Sequence, residues 1–344
     1  RLYLDTDFNF DFDNTEYSGS NLAPSETLFG VSLAPVLRYE WSEKHSLGVG
    51  VNMQKWFGST RFLDDIDLVA YYQYKDEKYG ALAGLFRRDK LIGRYSEAFF
   101  SNAWLAKNRL VQGLALQYHD QHGFVELVAD WNGMYSPETR EQFRILFSGE
   151  GRFAKIMYAG ASAQLHHYAN RADFSHNVVD DVVINPYIGV DFKAFFDFDI
   201  RLGYLQSLQQ DRVTGGGWQT PYGTELYFRM SRWGVFISNN FYIGDDLLPL
   251  YDSVGKEGTI YGADLYAADP FYRTESAYYN RTGIGYEQNF WKERIKVKSL
   301  EITMSGTIDT EKVEGKSQFI AFNINYNIEC AHLSDQSKVG HAVQ

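Results

Sequence analysis

At 344 residues, with 44% hydrophobic and 17% aromatic residues, the chain has room for one large domain or two ordinary ones. Its formal net charge of −11 excludes nucleic acid as a partner, because phosphates need a basic footprint. A lone cysteine, Cys330, excludes an intramolecular disulfide and a Cys-rich metal site. No apolar run approaches the ~18 residues of a transmembrane helix.

The first stretch, Leu2–Asn14, sets the pattern. Tyr3, Asp5, Asp7, Asn9, Asp11 and Asp13 form one face, and Leu2, Leu4, Thr6, Phe8, Phe10 and Phe12 form the other. Such a period-2 alternation predicts a β-strand about twice the usual 5–6 residues. Strand two, about Leu28–Trp41, sets Phe29, Val31, Leu33, Leu37, Tyr39 and Trp41 against Gly30, Ser32, Ala34, Arg38 and Glu40. A tight turn at 42–44 leads to strand three, His45–Gly58. Strand four, about Asp64–Lys75, adds Asp65 and Asp67 to the polar face.

Strand five (Tyr79–Arg88) is followed by an aromatic-rich connection, Asp89–Asn108. Strands six to thirteen come as hairpins: Leu110–His119 with Gly123–Asn132, Glu141–Ser148 with Arg152–Tyr168, Val183–Lys193 with Phe196–Leu208, and Gly223–Ser231 with Trp233–Ile243. The longest connection, Gly244–Thr274, precedes Ser276–Gln288, Ile295–Ile308 and Gln318–Ile328. About sixteen strands result, with short and long connections in alternation. That rhythm predicts a single all-β transmembrane antiparallel barrel over residues 1–329, with a polar periplasmic tail at 330–344. Its short turns and both termini would be periplasmic, and its long loops extracellular.

Aromatic residues gather near strand ends, among them Tyr39, Trp41, Trp131, Trp233 and Trp291, as two interfacial girdles require. The chain resembles bacterial outer-membrane β-barrels, the porin-like proteins in particular. The resemblance is architectural and covers nearly the whole chain. It departs from the commonest form in carrying a polar tail after the last strand. It implies a bacterial outer-membrane location and lipid contact.

By face assignment, Asp5, Asp7, Asp11, Asp13, Asp65, Asp67, Asp197 and Asp199 line the lumen as acids, and Arg38, Arg144, Arg201, Arg229 and Arg281 as bases. These charges could set a transverse field across an open pore or pair across a filled interior; sixteen strands enclose more than side chains fill, which favours the pore. Successive same-face carboxylates lie about 6.5–7 Å apart, too far to chelate one ion, so no metal and no cofactor are expected. Ser162 and His166, with His167, Asp173 and His176 nearby, are the one constellation pointing to hydrolysis, yet Ser162 and His166 share lumen parity. The sequence thus predicts no enzyme but a passive channel for small hydrophilic solutes, mildly cation-preferring. The alternatives are a barrel subunit or scaffold binding other outer-membrane or periplasmic proteins and, less favoured, an outer-membrane hydrolase. The loop at 244–274 interleaves carboxylates with aromatics, which fits a plug, a contact surface or a well-packed loop.

Overall fold

The computed structural model describes residues 1–17, 22–173, 175, 177–213, 216–273, 278–286, 288–290, 295–297, 302–309, 312–313 and 316–331, with side chains up to residue 286 other than that of Tyr278. Its strands are β1 (Leu2–Glu16), β2 (Glu26–Glu40), β3 (His45–Trp56), β4 (Asp65–Lys75), β5 (Tyr79–Arg87), β6 (Leu110–Asp120), β7 (Gly123–Gly133), β8 (Gln142–Arg152), β9 (Met157–Tyr168) and β10 (Val179–Lys193). They continue with β11 (Asp197–Asp211), β12 (Tyr222–Arg232), β13 (Val235–Gly244), β14 (Tyr278–Tyr286), β15 (Gln288–Phe290), β16 (Ile295–Val297), β17 (Ile302–Asp309), β18 (Lys312–Val313) and β19 (Lys316–Ala331).

Among the described residues, sixteen strands of eight or more residues, together with the two-residue β18, form one sheet. The paired strands run antiparallel, and the sheet closes on itself. β1 pairs with β2 from Leu2↔Tyr39 to Thr15↔Glu26 and, on its other side, with β19 from Leu2↔Ala331 to Glu16↔Lys316. β9 and β10 are likewise joined, so the sheet closes among the described residues. Closure lets neighbouring strands satisfy each other's backbone groups without water, which is the condition for crossing a lipid core. Both ends of the barrel chain lie at the end that carries the short turns. β19 runs to Ala331, and the tail beyond it lies outside the described residues.

The alternation sorts side chains as a barrel wall demands. On β1, Asn9, Asp11 and Asp13 are buried while Phe8, Phe10 and Phe12 stay half-exposed. Phe29, Leu33 and Leu37 on β2, Leu47 and Val49 on β3, and Leu114 and Leu116 on β6 all face outward and are exposed. A continuous apolar band on the outside and a polar interior invert a soluble domain and match a lipid-embedded wall. Tyr39, Trp41 and Trp233 sit exposed near the turn end and Trp131 near the loop end; Trp291 lies outside the described residues. Trp233 and Gly234, with φ of 53° and 84°, make the two-residue turn between β12 and β13.

The interior is where the structure departs from an open pore. The connection between β5 and β6 and the one between β13 and β14 both fold into the lumen. Phe99, Phe100, Leu247, Leu248, Leu250, Tyr251, Tyr261, Leu265, Tyr266, Phe271 and Tyr272 join wall residues such as Val69, Tyr71, Phe86 and Val111 in one buried cluster. The loops also hold each other: the Ser101 N–H donates to the Ala267 carbonyl at 2.7 Å, and the Asp269 N–H to the Glu97 carbonyl at 2.8 Å. The filled interior, rather than the pore, is the arrangement found.

Candidate functional site

The first inward loop is bound to the wall by charge. Arg88 donates to Asp130 of β7 at 2.6 Å and to the carbonyls of Asn108 and Leu110, with both side chains of the Arg88–Asp130 pair nearly inaccessible. Glu126 accepts from the Ile92 and Gly93 N–H groups at 2.7 and 2.9 Å and from Gln117 at 2.8 Å. A Cβ at Gly93 would stand 2.5 Å from the Glu126 carboxylate and would push it from these bonds. The Arg94 N–H donates to Ser148 Oγ at 2.9 Å, and its carbonyl accepts from Ser162 Oγ.

A short helix, α1 (Asn102–Lys107), follows on the loop. Ser101 caps it by accepting the Trp104 N–H at 3.1 Å. α1 carries Trp104 between the guanidinium groups of Arg88 and Arg144, 4.8 and 5.2 Å from the ring centre. Replacing Arg88 with methionine leaves the Asp130 carboxylate buried beside one cation fewer, which we expect to cost about 3–5 kcal/mol. Denaturant unfolding of the purified barrel measures this. An unchanged midpoint would mean the pair contributes nothing, whereas the double variant Arg88→Met/Asp130→Leu should recover most of the loss.

The second inward loop is tied by tyrosines. Tyr261 donates to Asp211 at 2.7 Å, Tyr266 to Gln209 and Tyr272 to Glu225, which also accepts from Asn240 at 2.8 Å. Gln209 in turn donates to the Leu247 carbonyl at 2.9 Å. Arg140, over the Tyr168 ring, reaches Glu257 at 3.2 Å.

Between the two loops and the wall lies a cavity of about 1270 Å³ at the loop end. Asp13 of β1, Arg281 of β14 and Asp269 of the second loop line it, and Glu97 of the first loop pairs with Arg281. Arg281 Nη1 stands 2.9 Å from Glu97 and 3.8 Å from Asp269, and Asp13 lies near enough to Arg281 and Asp269 for their charges to interact. Asp13 Oδ1 accepts from Thr15 at 2.7 Å. Asp269 accepts the Phe271 N–H at 3.0 Å, and burial pushes its carboxyl up to about 6 against the opposing pull of Arg281. Tyr17, Trp104, Tyr251, Tyr261 and Tyr266 supply the apolar sides. A buried carboxylate with a raised pKa, beside a guanidinium and within an aromatic wall, suits a general base.

The ladder of acids does not act as one row. Asp5 pairs with Arg38 at 2.6 Å, Asp7 with Arg87 at 3.2 Å and Asp11 with Arg109, leaving Asp13 to the cavity. Asp199 meets Tyr158 and, at 3.5 Å, Arg94. Arg201 lies between the Tyr187 and Tyr227 rings and Arg229 over Phe236. Asp67 is half-buried beside Asn52, whereas Asp65 and Asp197 are exposed at strand ends. Ser162 and His166 are both buried on the lumen face but do not meet. Four residues apart on one strand they are about 13 Å from each other, and Ser162 is bound to Ser148 and the loop backbone. Asp173 pairs with Arg171, and His176 lies outside the described residues. Among the described residues no three His, Cys, Asp or Glu side chains stand together to hold a metal ion.

The model of the lipid A 3'-O-deacylase-type family matches residues 1–326. The chain belongs to this family. Its family is one of enzymes, which overturns the expectation that the barrel performs no chemistry. Asp13 and Asp269, which line the cavity, come from β1 and the remote second loop, so no linear motif joins them. No curated protein matches the chain. Among solved structures it is similar to a mutant porin of Rh. blastica, with 11% identity over 95% of this chain and 100% of that one and a TM-score of 0.47. It is also similar to the outer membrane protein OprD from Pseudomonas aeruginosa, with 10% identity over 95% and 93% of the two chains and a TM-score of 0.49. This lipid A deacylase-type chain is a closed antiparallel β-barrel with an apolar outer face.

Proposed function

We propose that this barrel hydrolyses an acyl ester of lipid A in the cavity at the loop end of its lumen. The observation that most supports the reading is the inward folding of both long loops. They fill a barrel wide enough for a channel and leave a walled chamber around Asp13, Asp269 and Arg281. In this scheme Asp269 accepts a proton from water as the water oxygen bonds to the ester carbonyl carbon. Arg281 faces the negative charge that develops on the carbonyl oxygen. Collapse breaks the carbon–oxygen bond of the ester, the departing alkoxide takes the proton from Asp269, and a fatty acid is released. The tyrosines and Trp104 hold the acyl chain.

Incubating the detergent-purified protein with lipid A and measuring free fatty acid by mass spectrometry tests the proposal. Release by the folded barrel and none after boiling is expected; a folded barrel that releases nothing would sink it. The mildly cation-preferring channel has less support. The acids Asp5, Asp7 and Asp11 are paired, and the 870 Å³ cavity at the turn end is lined by as many Lys and Arg as Asp and Glu side chains. The scaffold reading rests on the long loops and on the polar tail; both long loops turn inward, and the tail beyond Ala331 lies outside the described residues.

A further inference from the structure

On the outer face of the wall, away from the lumen, one row of side chains crosses four adjacent strands at the loop end. Trp131 of β7, Phe143 of β8, His167 of β9 and Asp180 of β10 are successive register partners, Trp131↔Phe143, Phe143↔His167 and His167↔Asp180. All four have the parity of exposed outward neighbours such as Leu127, Ile145 and Leu165. The first three rings are stacked, with centroids 5.0 Å apart at each step and interplanar angles of 21° and 29°. Asp180 closes the row. Its Oδ1 lies 2.9 Å from His167 Nδ1, and its Oδ2 accepts from Arg212 Nε at 2.5 Å.

This arrangement spends both oxygens of Asp180 on holding two neighbours in place. Because a carboxylate only accepts, His167 donates through Nδ1–H, which leaves Nε2 as an acceptor for a P–OH group. Pairing Arg212 through Nε leaves the two Nη nitrogens, on a side chain that is 56% exposed. Among the described residues no other acidic side chain approaches Arg212. A wall exposed to hydrocarbon has no use for a charged, half-buried triad. At the level where the aromatic ladder ends, though, the neighbours are lipid headgroups.

We propose that Arg212 and His167, braced by Asp180, form an outward-facing site for the phosphate of a membrane lipid headgroup, with the Trp131–Phe143 ladder lying along the lipid's apolar part. A guanidinium is suited to phosphate because its planar set of donors can bond two oxygens at once. The stacked rings give the adjoining acyl region a flat, preordered surface. The site is independent of the hydrolase reading, since it lies on the opposite side of the wall from the cavity.

Native mass spectrometry of the detergent-purified protein, titrated with dimyristoyl phosphatidic acid, tests this. One lipid should be retained on the wild type. The variants Arg212→Gln and Arg212→Gln/His167→Leu should need about tenfold and then severalfold more lipid for the same occupancy, in line with loss of one charge-assisted bond and then of one ordinary hydrogen bond. Both substitutions are at the surface, and heat-dependent gel mobility verifies that the barrel has folded. Dimyristoylglycerol, which lacks the phosphate, should not be retained; equal retention would overturn the proposal in favour of plain annular contact. Equal retention of phosphatidic acid by folded wild type and double variant would overturn it too. Displacement of the lipid by millimolar inorganic phosphate would show a site for free phosphate and reject the lipid assignment, whereas unaltered retention supports it.

Discussion

The Asp269→Asn variant should lose about 10²–10⁴-fold in the rate of fatty-acid release, the range that a positioned general base contributes. The sign of the pH dependence follows from the carboxyl at about 6. A base works only when ionised, so the wild-type rate should rise as pH increases through about 6 and level off above it. The groups facing Asp269 are Arg281, which favours ionisation, and Glu97 and Asp13, which oppose it. Replacing Glu97 with glutamine should therefore move the rising limb to lower pH, a shift that a purely structural Asp269 would not produce. The residual activity of Asp269→Asn should lack that limb. An Asp269→Asn protein with wild-type rate and profile would place the base elsewhere, and Asp13→Asn is then the variant to measure. The magnitude separates the two candidates, because only the group that takes the proton should cost a hundredfold or more.

Excising residues 245–273 and closing β13 to β14 with a short turn should turn a nearly silent barrel into one that conducts in planar bilayers. The loop supplies Tyr261, Tyr266 and Tyr272, whose hydroxyls occupy Asp211, Gln209 and Glu225 on the wall. A ring of sixteen strands emptied of such contents leaves an aqueous channel. Fatty-acid release should disappear in the same protein, since Asp269 leaves with the loop. Conductance indistinguishable from the intact chain would show that the first loop alone seals the lumen.

The wall was legible in the sequence because its physics is local. Period-2 alternation in β1 and the turn at 42–44 define pairing and face without reference to distant residues, and the strand count found is close to the sixteen expected. Boundaries at the loop end were harder to read. β10 starts at Val179 rather than Val183, because Asp180 and Asp181 interrupt the apolar signal where the strand rises to the rim. The contents of the barrel were only half visible. The carboxylates interleaved with Tyr251, Tyr261, Tyr266, Phe271 and Tyr272 in the second loop fit a plug, a contact surface or a packed loop equally, so its inward fold was one of three open readings. Which carboxylates would converge could not be read, since Asp13, Asp269 and Arg281 meet only after a ring has closed. Within the ladder Asp5–Asp13, nothing local distinguishes the member that escapes pairing from those that meet Arg38, Arg87 and Arg109.

The backbone bonds from Ser101 to Ala267 and from Asp269 to Glu97 carry a consequence for assembly. They join segments that lie far apart in the chain, residues 97–101 and 267–269, so the entropy of bringing them together is small only once the wall has already shortened the distance. Neither loop can complete its own hydrogen bonding without the other, so the two should dock as one cooperative step after the ring is sealed. A nascent barrel would pass through a stage that is closed outside and water-filled inside. Its chamber would exist only once the last stage of folding is over, and until then the protein could be membrane-inserted and inert.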